Sequence, residues 1–219
     1  MRSSQPQLSE EAVREQLQSL RWADIHVVEM DENETLRLER MEGSIDRYGE
    51  VKLERLQGVF PLLPFGREED VKMLTTVFMY ACKTLMVTPC VDLFATAAHN
   101  QLPKYFSPDP DDEKAMGCNA FAYYWDPSVT LYANPPWTLI MYVITKICQD
   151  RSRVLLVTPL WPEAAWMEVL KNITQRSLVW RKKLYLRDDG SVWKAPRWPT
   201  LFSYVVGEPL EGEVVVPGQ

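Results

Sequence analysis

Hydrophobic positions along this chain follow two rhythms, and their alternation predicts its architecture. Val13, Leu17, Leu20 and Trp22 form a helical stripe behind Ser9-Glu10-Glu11, a capping residue with acids in the first turn. Val71, Leu74, Val77, Phe78, Ala81, Cys82 and Leu85 recur at the same spacing and predict a helix over Arg67–Leu85, its stripe serving as core. Leu139–Cys148 and Glu163–Ile173 complete the helices. Between them stand short apolar runs, Cys90–Phe94, Val129–Ala133 and Val154–Thr158, which read as strands. The last is unbroken, the pattern of a strand buried on both faces of a parallel sheet.

Strand, helix, strand, helix of these lengths makes βαβ units, so the fold class is α/β with an open, mostly parallel, Rossmann-like sheet. Leu178–Arg187 and Thr200–Val206, separated by Asp188-Asp189-Gly190, read as antiparallel strands closing one edge. Toward the N-terminus, Ile25 to Val28, Leu36 and Leu38, then Val51, Leu53 and Leu56 suggest short strands in a small β-rich appendage. Pro61-Leu62-Leu63-Pro64-Phe65-Gly66 is the boundary. The expected organisation is a helix plus β-rich appendage over 1–66, an α/β domain over 67–207, and an acidic tail over 208–219. An irregular passage from Ala97 to Gly117 is long enough to suggest a functional loop.

Composition narrows the class. With 219 residues, 46% hydrophobic and 25% charged, the chain has the make-up of a soluble globular domain with a substantial core. No apolar run reaches membrane-spanning length, and no leader pattern stands at the start. Cys82, Cys90, Cys118 and Cys148 show no C-x-x-C pairing, and His26 and His99 are the only histidines. A metal site is not expected, nor a Ser-His-Asp or Cys-His catalytic arrangement. Reduced thiols point to an intracellular location, cytoplasm or nucleus. The net charge of −6 hides a division. Residues 1–70 carry sixteen acidic and nine basic side chains, whereas 171–198 carry eight basic and two acidic. In that basic segment Arg181, Lys182, Lys183, Arg187, Lys194 and Arg197 alternate with Trp180, Tyr185, Trp193 and Trp198. Cations for phosphates and rings for stacking suit a nucleic acid; a hairpin with its rings inward and its charges solvated has the same spacing.

The strongest chemistry lies at Asn134-Pro135-Pro136-Trp137, where the Val129–Ala133 strand meets the next helix. Two prolines fix φ twice and remove two donors, presenting the Asn134 amide and the Pro135 carbonyl in one geometry. Two acceptors beside a ring face can hold a planar exocyclic amine on a stacked base. The same residues also suit a rigid strand-to-helix turn with a packed tryptophan.

Asn-Pro-Pro-aromatic resembles the amine-methylating motif of DNA N6-adenine methyltransferases. Val91-Asp92-Leu93-Phe94-Ala95-Thr96, Asn100, Leu102-Pro103-Lys104-Tyr105-Phe106, Asn119-Ala120-Phe121 and Trp125 precede it in order, and Val157-Thr158-Pro159-Leu160-Trp161 and Trp166 follow. The series is similar to the phage-type (Dam-like) adenine methyltransferases, and resembles more closely the methyltransferase-like domain of DIRS-type and gypsy-type retroelement polyproteins. The likeness covers roughly Pro89 to Gly207. It implies S-adenosyl-L-methionine as cofactor and DNA as substrate, with Asn134, Pro135, Pro136 and Trp137 catalytic. Asp92, Phe94 and Ala95 would contact the cofactor, and Asp92, Asn134 and Pro159 would converge on one crevice. The chain departs from the broader methyltransferase pattern in carrying no glycine after Asp92. Three functions therefore stand open: an adenine methyltransferase, a non-catalytic copy that binds nucleic acid or a polyprotein partner, or an interaction domain built on the acidic residues 1–70.

Overall fold

A computed structural model of the chain describes residues 25–28, 53–57, 71–181, 185–187 and 199–207. In chain order its strands are β1 (Ile25–Val28), β2 (Val71–Met73), β3 (Val91–Asp92), β4 (Phe106–Ser107), β5 (Gly117–Cys118), β6 (Thr130–Ala133), β7 (Arg153–Pro159), β8 (Thr174–Trp180), β9 (Tyr185–Arg187) and β10 (Thr200–Val206). The helices are α1 (Thr75–Thr84), α2 (Ile140–Asp150) and α3 (Met167–Ile173).

β7 explains the layering. From Val154 to Pro159 every residue is buried, so both of its faces must be covered. Leu155 and Val157 pack in a cluster with Val77, Phe78 and Ala81 of α1. Val154 and Leu156 belong to the opposite cluster, with Val143, Ile144 and Ile147 of α2 and Leu170 of α3. The result is an α/β fold with a sheet between helical layers, and each such apolar side chain contributes about 1.5–3 kcal/mol on burial. α2 stops where Arg151 turns left-handed at φ 53° and the Ser152 amide reaches back to the Ile147 carbonyl at 3.1 Å. A side chain at Gly207 would collide with that same carbonyl, so the chain leaving β10 passes close only because glycine stands there.

Six strands form one mixed sheet in the order β1-β8-β10-β7-β6-β3. β3, β6 and β7 are parallel, with Val91 opposite Leu131 and Thr130 opposite Arg153. β10 pairs antiparallel with both β7 and β8, so β8 runs in the direction of β7. The expectation of antiparallel strands closing an edge is thereby corrected: β10 is interior, and β8 is one of the parallel set. The reason is burial, since Thr200 to Ser203 and Val205 are all buried and such a strand belongs inside a sheet. Ile25–Val28, expected within an appendage, lies beside β8 in parallel register.

Two helices are shorter than their apolar spacing predicts. Val71–Met73 forms β2, which pairs antiparallel with β9, so a long-range partner overrides local helical periodicity. Trp161 to Trp166 makes turns ahead of α3, held at the start by the Leu160 amide on the Pro199 carbonyl at 2.7 Å. Within the irregular passage, β4 and β5 form a small parallel pair. Two asparagines brace it: Asn100 Nδ2 donates to the Leu102 carbonyl at 2.9 Å, and Asn119 Oδ1 accepts from the Phe121 amide at 3.2 Å. Residues 53–57 lie against the Tyr123 segment, Arg55 bridging Tyr123. The helix expected over Ser9–Trp22, the strands around Leu36 and Leu38, and the acidic tail lie outside the described residues. Among the described residues no helix is long and apolar enough to cross a membrane, and no cluster of His, Cys, Asp or Glu could hold a metal ion.

Candidate functional site

β3, β6, β7 and β8 end on the side of the sheet where β10 begins, the side on which open α/β sheets gather ligands. Asn134 leaves β6 there, half-buried, and Pro135 is buried beneath it. Pro136 adopts φ −51° and ψ 140°, and its carbonyl accepts from the Leu139 amide at 2.8 Å. That bond opens a single 3-10 turn, Trp137–Leu139, which leads directly into α2. The Pro135 carbonyl has no backbone partner among the described residues. Trp137 stands 51% exposed at the rim, far more than a tryptophan packed to stiffen a turn. The double-proline turn thus places the Asn134 amide and the Trp137 ring at one edge.

A cleft lies against this turn. Its far wall is Val157, Thr158 and Pro159 of β7 with Thr200 of β10, and Tyr185 of β9 closes it. The Tyr185 hydroxyl donates to Asn134 Oδ1 at 3.3 Å. Burial pushes that phenol well above its usual range, against a smaller opposite pull from Asn134, so it remains a donor at physiological pH. Thr158, 2% exposed, has a hydroxyl with no partner among the described residues. The enclosed space is about 10 Å³, far below the roughly 300–1,000 Å³ of small-molecule pockets. It has room for about one water molecule, so the groups around it would have to part for a base to enter.

Asn134 and Pro159 meet here as expected; Asp92 does not line this cleft. Asp92 sits opposite Tyr132 in β3, 2% exposed. Its Oδ1 accepts from the Phe94 amide at 3.3 Å and its Oδ2 from the Gln101 amide at 3.0 Å. Burial raises its pKa to about 7, and these two bonds restrain the rise. The carboxylate thus ties down the loop that follows its strand. Phe94 turns its ring edge-on to Phe121 and Trp125, at 5.5 and 6.4 Å. Ala95 is 4% exposed and its amide donates to the Phe106 carbonyl at 3.1 Å. Asp92 and Ala95 are thus engaged in holding this loop, and Phe94 packs on the neighbouring aromatic rings.

Of the basic segment, Lys182, Lys183, Lys194 and Arg197 lie outside the described residues. Arg181 is half-buried just past β8, and Arg187 pairs through its backbone with Val71. Trp180 faces inward, 6% exposed and edge-on to Tyr80 at 5.7 Å, so it is no stacking platform. Tyr185 and Thr200 are the site residues that spacing did not reveal. Tyr185 stood only as one ring among several in the basic segment, and nothing local ties it to Asn134, 51 positions earlier. Compared with known proteins, the chain matches no family model, and no curated protein is significantly similar to it.

Proposed function

We propose that this chain is an adenine-N6 methyltransferase-like domain of the retroelement type, and that its Asn134–Trp137 turn receives the exocyclic amine of a DNA base. One observation carries the reading: the turn leaves a parallel strand at the ligand side of the sheet with Trp137 half exposed beside it. Asn134 Oδ1 and the Pro135 carbonyl would accept the two N–H bonds of the amine while Trp137 stacks on the ring. Adenine N6 has two donors and satisfies both acceptors; cytosine N4 has the same chemistry. Holding the amine by its protons localises its lone pair and fixes its direction, which is the positioning that alkylation of a weak nucleophile requires. The sheet supports the reading too, being parallel with one antiparallel strand from the C-terminal segment. S-Adenosylmethionine is the methyl donor in this proposal, supplying an already activated methyl group. No contact to it is assigned to Asp92, Phe94 or Ala95.

A second reading draws on those same buried residues and on the small cleft: a non-catalytic domain that holds a nucleobase without modifying it. One assay separates the two. Methyl transfer from labelled S-adenosylmethionine to adenine-containing single- and double-stranded DNA is expected from the wild-type chain, falling to background in Asn134→Ala. Trp137→Ala should change stability by less than about 0.5 kcal/mol, as a surface change, yet weaken DNA binding by about 1–3 kcal/mol, the worth of one stacked base. Binding that depends on Trp137 without any transfer selects the second reading. Neither transfer nor binding overturns both.

A further inference from the structure

The segment that closes the cleft is held more firmly than a surface ribbon needs to be. β2 and β9 form a two-stranded ribbon apart from the main sheet, with Met73 opposite Tyr185. Met73 is 1% exposed, and it is tethered twice from beneath. Gln101 Nε2 donates to its carbonyl at 2.8 Å, and the Tyr132 hydroxyl donates to its sulfur at 3.4 Å. Gln101 is itself anchored through its amide to Asp92, while Tyr132 lies in β6 two residues before Asn134. The ribbon is therefore fixed to β6, whose end carries Asn134, and to the loop after β3, and the group it delivers to the site is the Tyr185 hydroxyl.

We propose that Tyr185 is the positioning residue of the Asn134 site: by donating to Oδ1 it locks the side-chain amide so that the remaining lone pair meets the incoming amine. The inference rests on the reading of Asn134 as the amine acceptor. An asparagine amide turns about χ2 in a broad, roughly two-fold well. Unrestrained, it presents NH2 to the ligand as readily as oxygen, and a donor facing an amine repels it. An amide oxygen has two lone pairs. Tyr185 takes one and leaves the other, so the hydroxyl selects the accepting orientation without filling the site. Tyr185 touches no reacting atom in this scheme and acts only through Asn134.

The test uses the full-length chain and two probes, 2′-deoxyadenosine and purine 2′-deoxyriboside, which differ only in the exocyclic amine. Stacking on Trp137 contributes to both, so the ratio of their affinities isolates recognition of the amine. The wild type should favour deoxyadenosine, and Asn134→Ala should bring the ratio to one. Tyr185→Phe, which keeps the ring, should lower the ratio about three- to tenfold, the worth of one hydrogen bond, with binding of the amine-free probe unchanged. A wild-type ratio of one, or a ratio that survives Asn134→Ala, overturns the reading of Asn134 and the role of Tyr185 with it. A wild-type ratio in Tyr185→Phe, with Asn134→Ala at one, overturns the positioning role alone. So does tighter deoxyadenosine binding in Tyr185→Phe, which would mean the hydroxyl blocks the site. If that variant does not fold, NMR on the wild type decides: the Asn134 side-chain amide should be as ordered as rigid backbone, with an order parameter near about 0.85. A value below about 0.6 refutes the lock.

Discussion

Asp92 offers the sharpest quantitative test of how this fold is held. The carboxylate is 2% exposed, and its only resolved compensation is two backbone amides. Burial prevails, and the pKa stands at about 7 against an ordinary 3.8. The sign follows from proton counting. Below pH 3.8 the carboxyl is neutral whether the chain is folded or not. Between 3.8 and about 7 the unfolded chain has released the proton and the folded chain retains it, so stability falls as pH rises. Above about 7 both forms are ionised and the loss is complete. At about 1.4 kcal/mol for each tenfold change, the full loss is about 4 kcal/mol, a large share of the 5–15 kcal/mol typical of a domain. Asp92→Asn keeps the shape and removes the titration. It also turns an NH2 toward one of the two amides, which should cost about 1–3 kcal/mol. Urea unfolding from pH 4 to 8.5 should therefore show the variant less stable at pH 4 and equal or more stable at pH 8.5. The wild-type minus variant difference cancels the other titrating groups and should slope downward through neutrality. A difference independent of pH to within about 0.5 kcal/mol would refute the argument that desolvation governs this residue.

Trp125 should be the costliest single truncation tested. It is fully buried, stacks on Phe121 at 5.9 Å, donates its indole to the Ala120 carbonyl at 2.9 Å and lies beneath the Lys146 ammonium. Trp125→Ala should lower the unfolding free energy by about 3–5 kcal/mol, read from urea midpoints at constant slope; a loss below 1 kcal/mol would contradict this packing. Thiol alkylation of the native chain followed by peptide mass mapping should label exposed Cys118 first. Cys82, whose thiol burial pushes up to about 12, should react only on unfolding, and early labelling there would mean α1 opens readily.

Much of the frame can be read from periodicity alone, and the failures have a common cause. β6, the double-proline turn, α2, β7 and β10 appear where apolar spacing and turn chemistry place them, because each signal is local. What spacing could not show is which segments meet. Val71 sits in register with the helical stripe of Leu74, Val77 and Phe78, and only the pairing of Val71–Met73 with β9 makes it a strand residue. The interior position of β10 did leave a trace: Leu201-Phe202-Ser203-Tyr204-Val205-Val206 is nearly unbroken in apolarity, unlike an edge strand with one wet face. At the site, Asn134 and Trp137 are legible because two prolines fix their geometry. Tyr185 is not, because its contact depends on a ribbon built from two distant segments. A carboxylate ending a strand looks the same in sequence whether it faces a crevice or its own loop, so spacing leaves both roles of Asp92 open, and only the fold shows its bonds to that loop.

The antiparallel strand in the middle of the sheet has a consequence for how the chain is made. β7 and β8 run the same way but never touch, since β10 lies between them and binds both. Each therefore leaves the ribosome with one side still unpaired, and only residues 200–206, translated after both, can fill the gap. Until then two apolar strands carry open edges of the kind that recruit other chains. Assembly of the sheet is thus a late, long-range event rather than a progressive one. A chain interrupted before Thr200 would lack the one strand that pairs with both β7 and β8 among the described residues.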